Sequence, residues 1–520
     1  MEKPLAFQQI FFQLKSKLVP KNYWNYFYLL ISTIMLTLSV HVALNMAWNG
    51  DFWEHAAVIR SFQQNVFSPS HPILDLQAPH HLFSPFHLTL ALFGNVLELD
   101  APTILSVWAP INLVVFLIGV FRFTECFCIS SASAKIRVFL LLFILFGWSG
   151  NVWFFSGFLS VRAFAFIAPY PSTLTIGLML LAVSNLYDWF KSSKHKDIAI
   201  FFFSYLFVAL VHHITFLSMS VICLCICVPH IFKQKVKTFI AITIALIVLI
   251  AMLTWPYYDL LQLLQDNDEF IKGNSAMYVS PYAAIYPALL FLPALFWFQK
   301  LHISPVIICS LIILALLYII GLLGFQPMMG RVINIIAFLG HMISATTIVF
   351  IISSERVSKI KKNKFLNLIF IGAFAYLLLP LMSLDEIKRF NQTLLNGKLD
   401  FVSAKMVEPY LDENSIIFGP IGLGWEIVSL KGKLVASKTG LAFVESHIER
   451  QATARKICKL DTPETEFLSF LKFYKVTNLM LPANCSRTLD MLSKPDSDFR
   501  LTLVTPRYQF YQKIGVGINN

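Results

Sequence analysis

Long apolar segments without charge limit the possible folds of this chain more than any other feature. Several windows of about 18–25 residues contain no charged side chain, which is the length and composition of a membrane-spanning helix. Hydrophobic residues make up 57% of the sequence and charged residues only 13%. The first apolar segment, Tyr26 to Met46, is too long for the core of a signal peptide. The sequence therefore predicts a polytopic α-helical membrane protein rather than a soluble domain behind a targeting peptide.

Hydropathy predicts about eleven spans, with thirteen as the upper limit. Phe83 to Leu99 is also apolar, but it is short and contains Pro85 and His87. We expect this segment to lie in the membrane interface or to dip into the membrane from the outer side. The predicted spans are residues 25–46, 103–121, 137–155, 164–188, 197–212, 214–230, 238–255, 282–298, 303–323, 331–352 and 365–383.

The basic residues orient these spans. If the N-terminus lies inside, the inner segments contain 19 Lys and Arg residues, whereas the outer loops before the C-terminal tail contain four, which are Arg60, Arg162, Lys272 and Arg331. Because cytoplasmic loops collect Lys and Arg, this asymmetry predicts a cytoplasmic N-terminus and an outer C-terminus. It also accounts for the net charge of +12 without any nucleic-acid partner. We expect an integral protein of the plasma (inner) membrane.

The polar C-terminal tail predicts a second domain. We expect a membrane domain over residues 1–384, with a large first outer loop at 47–102, and an extracytoplasmic α/β domain over residues 385–520. In the tail, SIIFG, KLVAS, NLML and LTLV have the composition of strands, while FVSAKMVEPYL, VESHIERQATARKI and ETEFLSFLKFY have the composition of helices. Cys458 and Cys485 are the only cysteines of this domain, and an oxidising compartment favours a disulfide between them.

Ionisable residues are concentrated near the predicted outer ends of the spans. In NGDFWEHAAVIR, residues 49–60, the spacing of Asp51, Glu54 and His55 places them on one face of a helix. An arginine at the mouth of a span is costly unless it is paired, solvated or bound to a ligand. The other candidates are Arg60 in the first outer loop, Arg162 in the second, His212 and His213 in the third, and Arg331 in the fifth. This distribution predicts an outward-facing polar cavity above an apolar surface.

Such a cavity suits a lipid-linked phosphosugar. The apolar tail of the lipid would lie among the helices, and Arg side chains would bind the phosphate through charge-assisted hydrogen bonds. A carboxylate could take a proton from an attacking hydroxyl. Alternatively, Asp51 and Glu54 could hold a divalent cation such as Mg²⁺ or Mn²⁺, which would neutralise the leaving phosphate.

The membrane part resembles the GT-C superfamily of integral membrane glycosyltransferases. An acidic motif directly after the first span and an outer soluble domain after an odd number of spans are similar to that superfamily. Residues 80 to 123 resemble the protein-mannosyltransferase and aminoarabinose-transferase branch, in which a Pro-containing aromatic segment ends in Phe-Gly. Ser84-Pro85 and Phe93-Gly94 stand in those places. The resemblance implies transfer of a sugar from a polyprenyl-phosphate donor to a glycan, lipid or protein acceptor on the non-cytoplasmic face.

The resemblance also implies roles for individual residues. Asp51 matches the catalytic aspartate of the first loop, and Glu54 takes the place of a second acidic residue. Arg162 and His212 fall in loops where the branch places ligands of the donor phosphate, and Arg331 is a further candidate. The sequence departs from the branch in two ways. It lacks the aspartate of the second loop, and it has the pair His212-His213 in place of a lysine of the third loop. Its tail also contains no Trp-Trp-Asp motif of the oligosaccharyltransferase type.

Plainer interpretations remain open. Asp51 and Glu54 also fit a capping box, which would only satisfy backbone N–H groups at a helix start. The loop histidines His71, His80, His81 and His87 lack the spacing of a closed zinc site, and we expect bilayer-surface contacts or hydrogen bonds for them. Two other functions would use the same residues. One is a multi-span transporter or lipid flippase, and the other is a catalytically silent scaffold that binds a partner through the outer domain.

Overall fold

The structure is a computed structural model that describes residues 23–128, 132–148, 157–265, 276–279, 285, 288, 303–353, 384–438, 443–459 and 462–515. Helices dominate the part before residue 384. They are α1 (Tyr23–Leu44), α2 (Phe52–Gln64), α3 (Pro85–Val96), α4 (Ala101–Phe127), α5 (Ser133–Phe146), α6 (Phe164–Ile167), α7 (Pro171–Ser192), α8 (His195–Val211), α9 (His213–Cys227), α10 (Lys235–Leu253), α11 (Leu260–Gln265), α12 (Pro305–Leu322) and α13 (Ile333–Ser353).

Seven helical segments within the described ranges are long and apolar enough to cross a membrane. They are Tyr23–Leu44, Ala101–Phe127, Pro171–Ser192, His213–His230, Lys235–Leu253, Pro305–Leu322 and Met328–Ser353. The chain is therefore an α-helical membrane protein, as its composition predicts. The predicted spans 282–298 and 365–383 lie largely or wholly outside the described residues, so eleven spans stay a prediction.

The predicted span at 164–188 is wrong in its boundaries. The helix is interrupted after the short α6, and α7 begins only at Pro171. Proline suits the first turn of a helix because its missing N–H would have no partner there. The apolar run hides this break because Phe164 to Tyr170 is as hydrophobic as the span that follows.

The segment between α1 and α4 contains α2 and α3. The helix that the spacing of Asp51, Glu54 and His55 predicts is present as α2. Every side chain from Phe52 to Phe62 is buried, including Glu54, His55 and Arg60. The helix packs against α3 and α4. Burial on all sides puts its polar residues inside the protein, where each needs a partner.

The C-terminal part has the predicted α/β character. Its elements are α14 (Leu384–Val407), β1 (Ile416–Phe418), α15 (Trp425–Val428), β2 (Lys433–Leu434), α16 (His447–Lys456), α17 (Glu464–Phe473), β3 (Asn478–Leu481), α18 (Ser486–Leu492), β4 (Phe499–Val504) and β5 (Gln509–Lys513). The strand order is β2-β1-β3-β5-β4, with β1 parallel to β2 and β3 and with β5 antiparallel to β3 and β4. The sequence indicates neither α18 nor β5, and it starts the first helix of the tail too late.

The two faces of this sheet belong to different cores. Ile417 and Met480 join the apolar core of the membrane part, whereas their neighbours Phe418 and Leu479 join a separate core on the other face. Side chains alternate between the faces of a strand, so one face of the sheet is buried against the membrane part. Cys458 and Cys485 are paired beside the second core, with their Cα atoms 4.5 Å apart.

Candidate functional site

Asp51 lies where the chain leaves α1 and enters α2. Gly50, just before it, has a φ of +61°, a conformation that favours glycine. Asp51 occupies the N-cap position of α2, but its side chain accepts no capping hydrogen bond. The capping-box interpretation of Asp51 is therefore wrong for the side chain. Its carboxylate is left to face the space outside the helix.

The surroundings of Asp51 are those of a crevice. The residue is exposed to solvent, yet desolvation by the surrounding protein raises the pKa of its carboxyl to about 6. The charge of Glu54 also raises this pKa, and the charges of Arg331 and Lys438 oppose the rise. The carboxyl of Asp51 is thus open to solvent on one side and close to many protein atoms on the other. Glu54, Arg331 and Lys438 lie near enough for their charges to act on it.

Glu54 is buried one turn further along α2. Nε2 of His80 lies 3.4 Å from Oε1 of Glu54. Burial lowers the pKa of His80 to about 3, so at neutral pH this contact joins a carboxyl group to an uncharged imidazole. His80 also stacks on His81, with ring centroids 4.8 Å apart. The sequence predicts bilayer-surface contacts or hydrogen bonds for these histidines. The hydrogen bond is confirmed for His80, whose Nδ1 accepts from the backbone N–H of Leu82 and whose ring is buried beside Glu54.

A second histidine pair links α2 to α3. Nδ1 of His55 lies 2.9 Å from Nε2 of His87, and Nδ1 of His87 lies 2.9 Å from Oγ of Ser84. Burial lowers the pKa of His55 to about 3 and that of His87 well below its usual value. Both rings are therefore neutral, and each can donate one hydrogen bond and accept another. This relay fixes the orientation of His55 on the same helix face as Glu54.

The opposite side of the crevice comes from the junction of α8 and α9. Nδ1 of His212 accepts a hydrogen bond from the backbone N–H of Thr215, so this side chain caps the N-terminus of α9. The other ring nitrogen, Nε2, takes no part in this bond. Nε2 of His213 lies 3.2 Å from the hydroxyl of Tyr258. His212 interacts electrostatically with Arg331 and with His55. His81 likewise interacts with Arg331 and His213.

Six of the candidate residues therefore meet at one place. They are Asp51, Glu54, His55, His212, His213 and Arg331. They come from three separate parts of the chain, namely the start of α2, the junction of α8 and α9, and the segment before α13. We call this set, together with His80 and His81, the outer pocket, after the side of the membrane that the sequence predicts for it.

Arg60, a candidate phosphate ligand, lies apart from the other candidate residues. Its side chain donates to the backbone oxygen of Gly432 at 2.9 Å and lies 3.4 Å from Glu413. Nine residues of helix separate it from Asp51, which corresponds to roughly 13 Å along the axis. Arg60 therefore holds the C-terminal domain rather than lining the outer pocket. Arg162 lies on the turn before α6, and its role as a phosphate ligand stays a prediction.

Sequence reasoning missed several residues of the site. Tyr170 donates a hydrogen bond to the backbone oxygen of Asn49, next to the turn that presents Asp51. Lys438, which acts on Asp51, belongs to the C-terminal domain. The density of histidines between residues 71 and 87 was a usable signal for the loop histidines. Nothing in the local sequence distinguishes Lys438 from the other lysines of the tail.

The pocket fits a divalent cation poorly. Among the residues that the structure describes, no group of three or more His, Cys, Asp or Glu side chains is arranged to hold a metal ion. Glu54 is buried against His80, and Asp51 already interacts with Arg331 and Lys438, whose charges would repel Mg²⁺ or Mn²⁺. We therefore route no chemical step through a metal.

No family model matches the chain, and no curated protein matches it either.

Proposed function

We propose that the chain is a membrane glycosyltransferase that moves a sugar from a polyprenyl-phosphate donor to an acceptor on the non-cytoplasmic face. One observation carries the proposal. An uncapped carboxylate, Asp51, and a cation, Arg331, face the same crevice at the ends of membrane-spanning helices. This pairing of a base with a phosphate-binding group, beside apolar helices, is what a lipid-linked phosphosugar requires.

The proposed reaction assigns each group one task. A hydroxyl of the acceptor attacks the anomeric carbon of the donor sugar and gives its proton to Asp51. The new carbon–oxygen bond forms as the bond between the anomeric carbon and the phosphate oxygen breaks. The lipid phosphate leaves with the electron pair, and Arg331 stabilises its negative charge. Asp51 then releases the proton to water.

The pKa of Asp51 suits this task. A general base works best when its pKa lies near the working pH, because it is then both deprotonated and basic. A pKa of about 6 leaves Asp51 ionised at neutral pH and makes it more basic than an ordinary aspartate. The rings of His55 and His80 stay neutral at that pH and do not take the proton in place of Asp51, so they serve as hydrogen-bond partners.

The test is the consumption of donor lipids. The purified protein is incubated with a panel of polyprenyl-phosphate sugars, and loss of the sugar-lipid is followed for the wild type, Asp51→Asn and Asp75→Asn. Asp75 is a matched control because it lies exposed in the same loop. We expect consumption by the wild type and Asp75→Asn and a loss of at least 100-fold in Asp51→Asn, within the usual range for a general base. Full activity of Asp51→Asn would contradict the mechanism.

A transporter or lipid flippase is the second candidate, and one observation favours it. Asn334 and His341 of α13 help to line a small cavity of about 20 Å³, and each has a buried polar atom without a hydrogen-bond partner among the described residues. Polar groups inside a membrane often mark a transport path. Movement of a polyprenyl-phosphate lipid across vesicles without any sugar transfer would favour this function, and sugar transfer that survives His341→Phe would speak against it.

A further inference from the structure

The C-terminal domain is joined to the first outer loop through its backbone. Leu74 and Leu434 form a parallel β-bridge, and the N–H of Leu434 donates to the backbone oxygen of Ile73 at 2.7 Å. The loop thus extends the edge of the sheet beyond β2. Backbone pairing of this kind fixes both the position and the register of the two partners.

Buried cations reinforce this junction. Arg60 donates to Gly432, directly before β2. Nζ of Lys433 donates to Oγ of Ser70 at 3.0 Å and to the backbone oxygen of His71. Lys433 is buried at this contact, and desolvation lowers the pKa of its ammonium group to about 7. Separating the two parts would leave these polar groups without their partners.

Aromatic packing closes the junction on the pocket side. The ring of Trp53, two residues after Asp51, stacks on Phe401 of α14 with centroids 6.2 Å apart and planes 9° apart. Trp425, Ile427 and Met480 of the C-terminal domain share one apolar core with the membrane part. The domain is therefore seated in a fixed position against the start of α2.

This seating brings Lys438 and Phe443, which follow β2, near the outer pocket. The side-chain amide of Gln451 donates to the backbone oxygens of Ser437 and Lys438, at 3.0 Å and 3.2 Å. Phe443 contacts Tyr258, with ring centroids 6.3 Å apart, and Tyr258 in turn contacts His213. Lys438 is exposed and lies close enough to Asp51 for its charge to act on that carboxyl.

We propose that Lys438 is a substrate-binding residue that the C-terminal domain supplies to the outer pocket, where it and Arg331 bind the phosphate of the ligand from two sides. The charges of both cations favour the carboxylate form of Asp51. A bound phosphate would pair with these cations, and its own negative charge would make Asp51 a stronger base. This inference rests on the proposed function only in taking the ligand to carry a sugar. The anion site itself needs just the phosphate group and the two cations.

Two probes distinguish a lipid phosphate from a free one. Binding of sugar-free polyprenyl phosphate and of inorganic phosphate is measured with the full chain in lipid nanodiscs. The variants are Lys438→Ala, Lys438→Arg, Arg331→Ala and Lys472→Ala. Lys472 lies exposed on α17, whose apolar side packs in the separate second core, so it controls for the loss of one positive charge from the same domain.

We expect Lys438→Ala to weaken the binding of polyprenyl phosphate at least tenfold, Lys438→Arg to weaken it less, and Lys472→Ala to leave it unchanged. The salt dependence of binding should also become shallower in Lys438→Ala because one cation no longer contacts the anion. Equal affinity of Lys438→Ala and the wild type would overturn the proposal, whether or not Arg331→Ala loses binding.

The outcomes separate this proposal from the proposed function. Donor consumption together with unaltered binding in Lys438→Ala would leave the glycosyltransferase standing and remove Lys438 from the site. Tight, Lys438-dependent binding of polyprenyl phosphate without donor consumption would do the reverse. A wild type that binds inorganic phosphate as tightly as the lipid would assign the site to free phosphate, and a wild type that binds neither probe would overturn the anion site.

Discussion

Asp51 is the residue on which the proposed chemistry depends, and its titration gives a direct prediction. With a pKa of about 6, the carboxylate form is lost as the pH falls through 6. We expect kcat/KM for donor consumption to be constant between about pH 7 and 8 and to fall about tenfold per unit well below pH 6. His55 and His80, with pKa values of about 3, do not titrate in this range.

The charges around Asp51 determine the pH at which kcat/KM begins to fall on the acid side. Removing the charge of Lys438 should move the apparent pKa of Asp51 upward, because that charge favours the carboxylate. Glu54→Gln should move it downward by removing a neighbouring negative charge. The measurement is a pH–rate profile of each variant from pH 5 to 8. If kcat/KM does not fall at acid pH, or if neither variant shifts the apparent pKa of that fall, Asp51 is excluded as the base.

The site could be predicted from the sequence only where its residues are neighbours along the chain. Asp51, Glu54 and His55 share a helix face because of their spacing, and α2 exists as expected. Arg60 has a side chain that could bind a phosphate, but it lies more than two turns further along the helix, where it donates a hydrogen bond to Gly432 of the C-terminal domain. Tertiary packing brings Lys438, almost 390 residues further along the chain, near enough for its charge to act on Asp51, and no local pattern encodes that proximity.

At the scale of elements, α4 and α7 pack with their backbones close together. A Cβ on Gly177 would lie 2.6 Å from the backbone nitrogen of Phe116, and one on Gly119 would lie 2.5 Å from the backbone oxygen of Gly177. Small residues let membrane helices approach in this way. Because neither backbone can move aside without its helix, we expect Gly177→Ala to destabilise the protein by about 1–3 kcal/mol.

Gly94→Ala in α3 is a suitable control for this substitution. A Cβ there would chiefly meet the end of the flexible side chain of Gln63, and both substitutions improve helix propensity equally. Thermal unfolding of the detergent-solubilised protein should show a clear loss for Gly177→Ala and a smaller one for Gly94→Ala. Equal melting temperatures for Gly177→Ala and the wild type would mean that the α4–α7 contact is looser than the structure has it.

Secondary structure was predictable where hydropathy or alternation is strong. Helices α1, α10, α12 and α13 match predicted spans closely. The break between α6 and α7 was not predictable, because Pro171 interrupts a run whose apolar composition continues on both sides. In the tail, β3 follows from its apolar run, whereas β5 alternates weakly and owes its place to pairing with β3 and β4.

For the whole molecule, the distribution of charge predicts which side of the membrane each part occupies. We expect Lys472→Cys in the C-terminal domain to react with a membrane-impermeant maleimide in intact cells. Lys194→Cys, in the connection between α7 and α8, should react only after the membrane is permeabilised. Both residues are exposed, so their reactivity reports on sidedness rather than burial. Labelling of Lys472→Cys only after permeabilisation would invert the predicted topology.

The seating of the C-terminal domain decides whether it is a wall of the pocket or a moving lid. Residues paired across neighbouring strands lie about 5 Å apart, which is within the Cα separation of a disulfide, so Leu74→Cys with Leu434→Cys should cross-link on oxidation. Arg60, Lys433 and Trp53 already hold the domain at this junction.

If the domain is a fixed wall of the pocket, a covalent cross-link at this junction should not change the rate of the reaction. We therefore expect the cross-linked protein to consume donor at the rate of its reduced form and of each single-cysteine variant. If oxidation abolishes turnover and reduction restores it, the domain must leave the first outer loop during each catalytic cycle, and Lys438 would then reach the phosphate only in the closed part of that cycle.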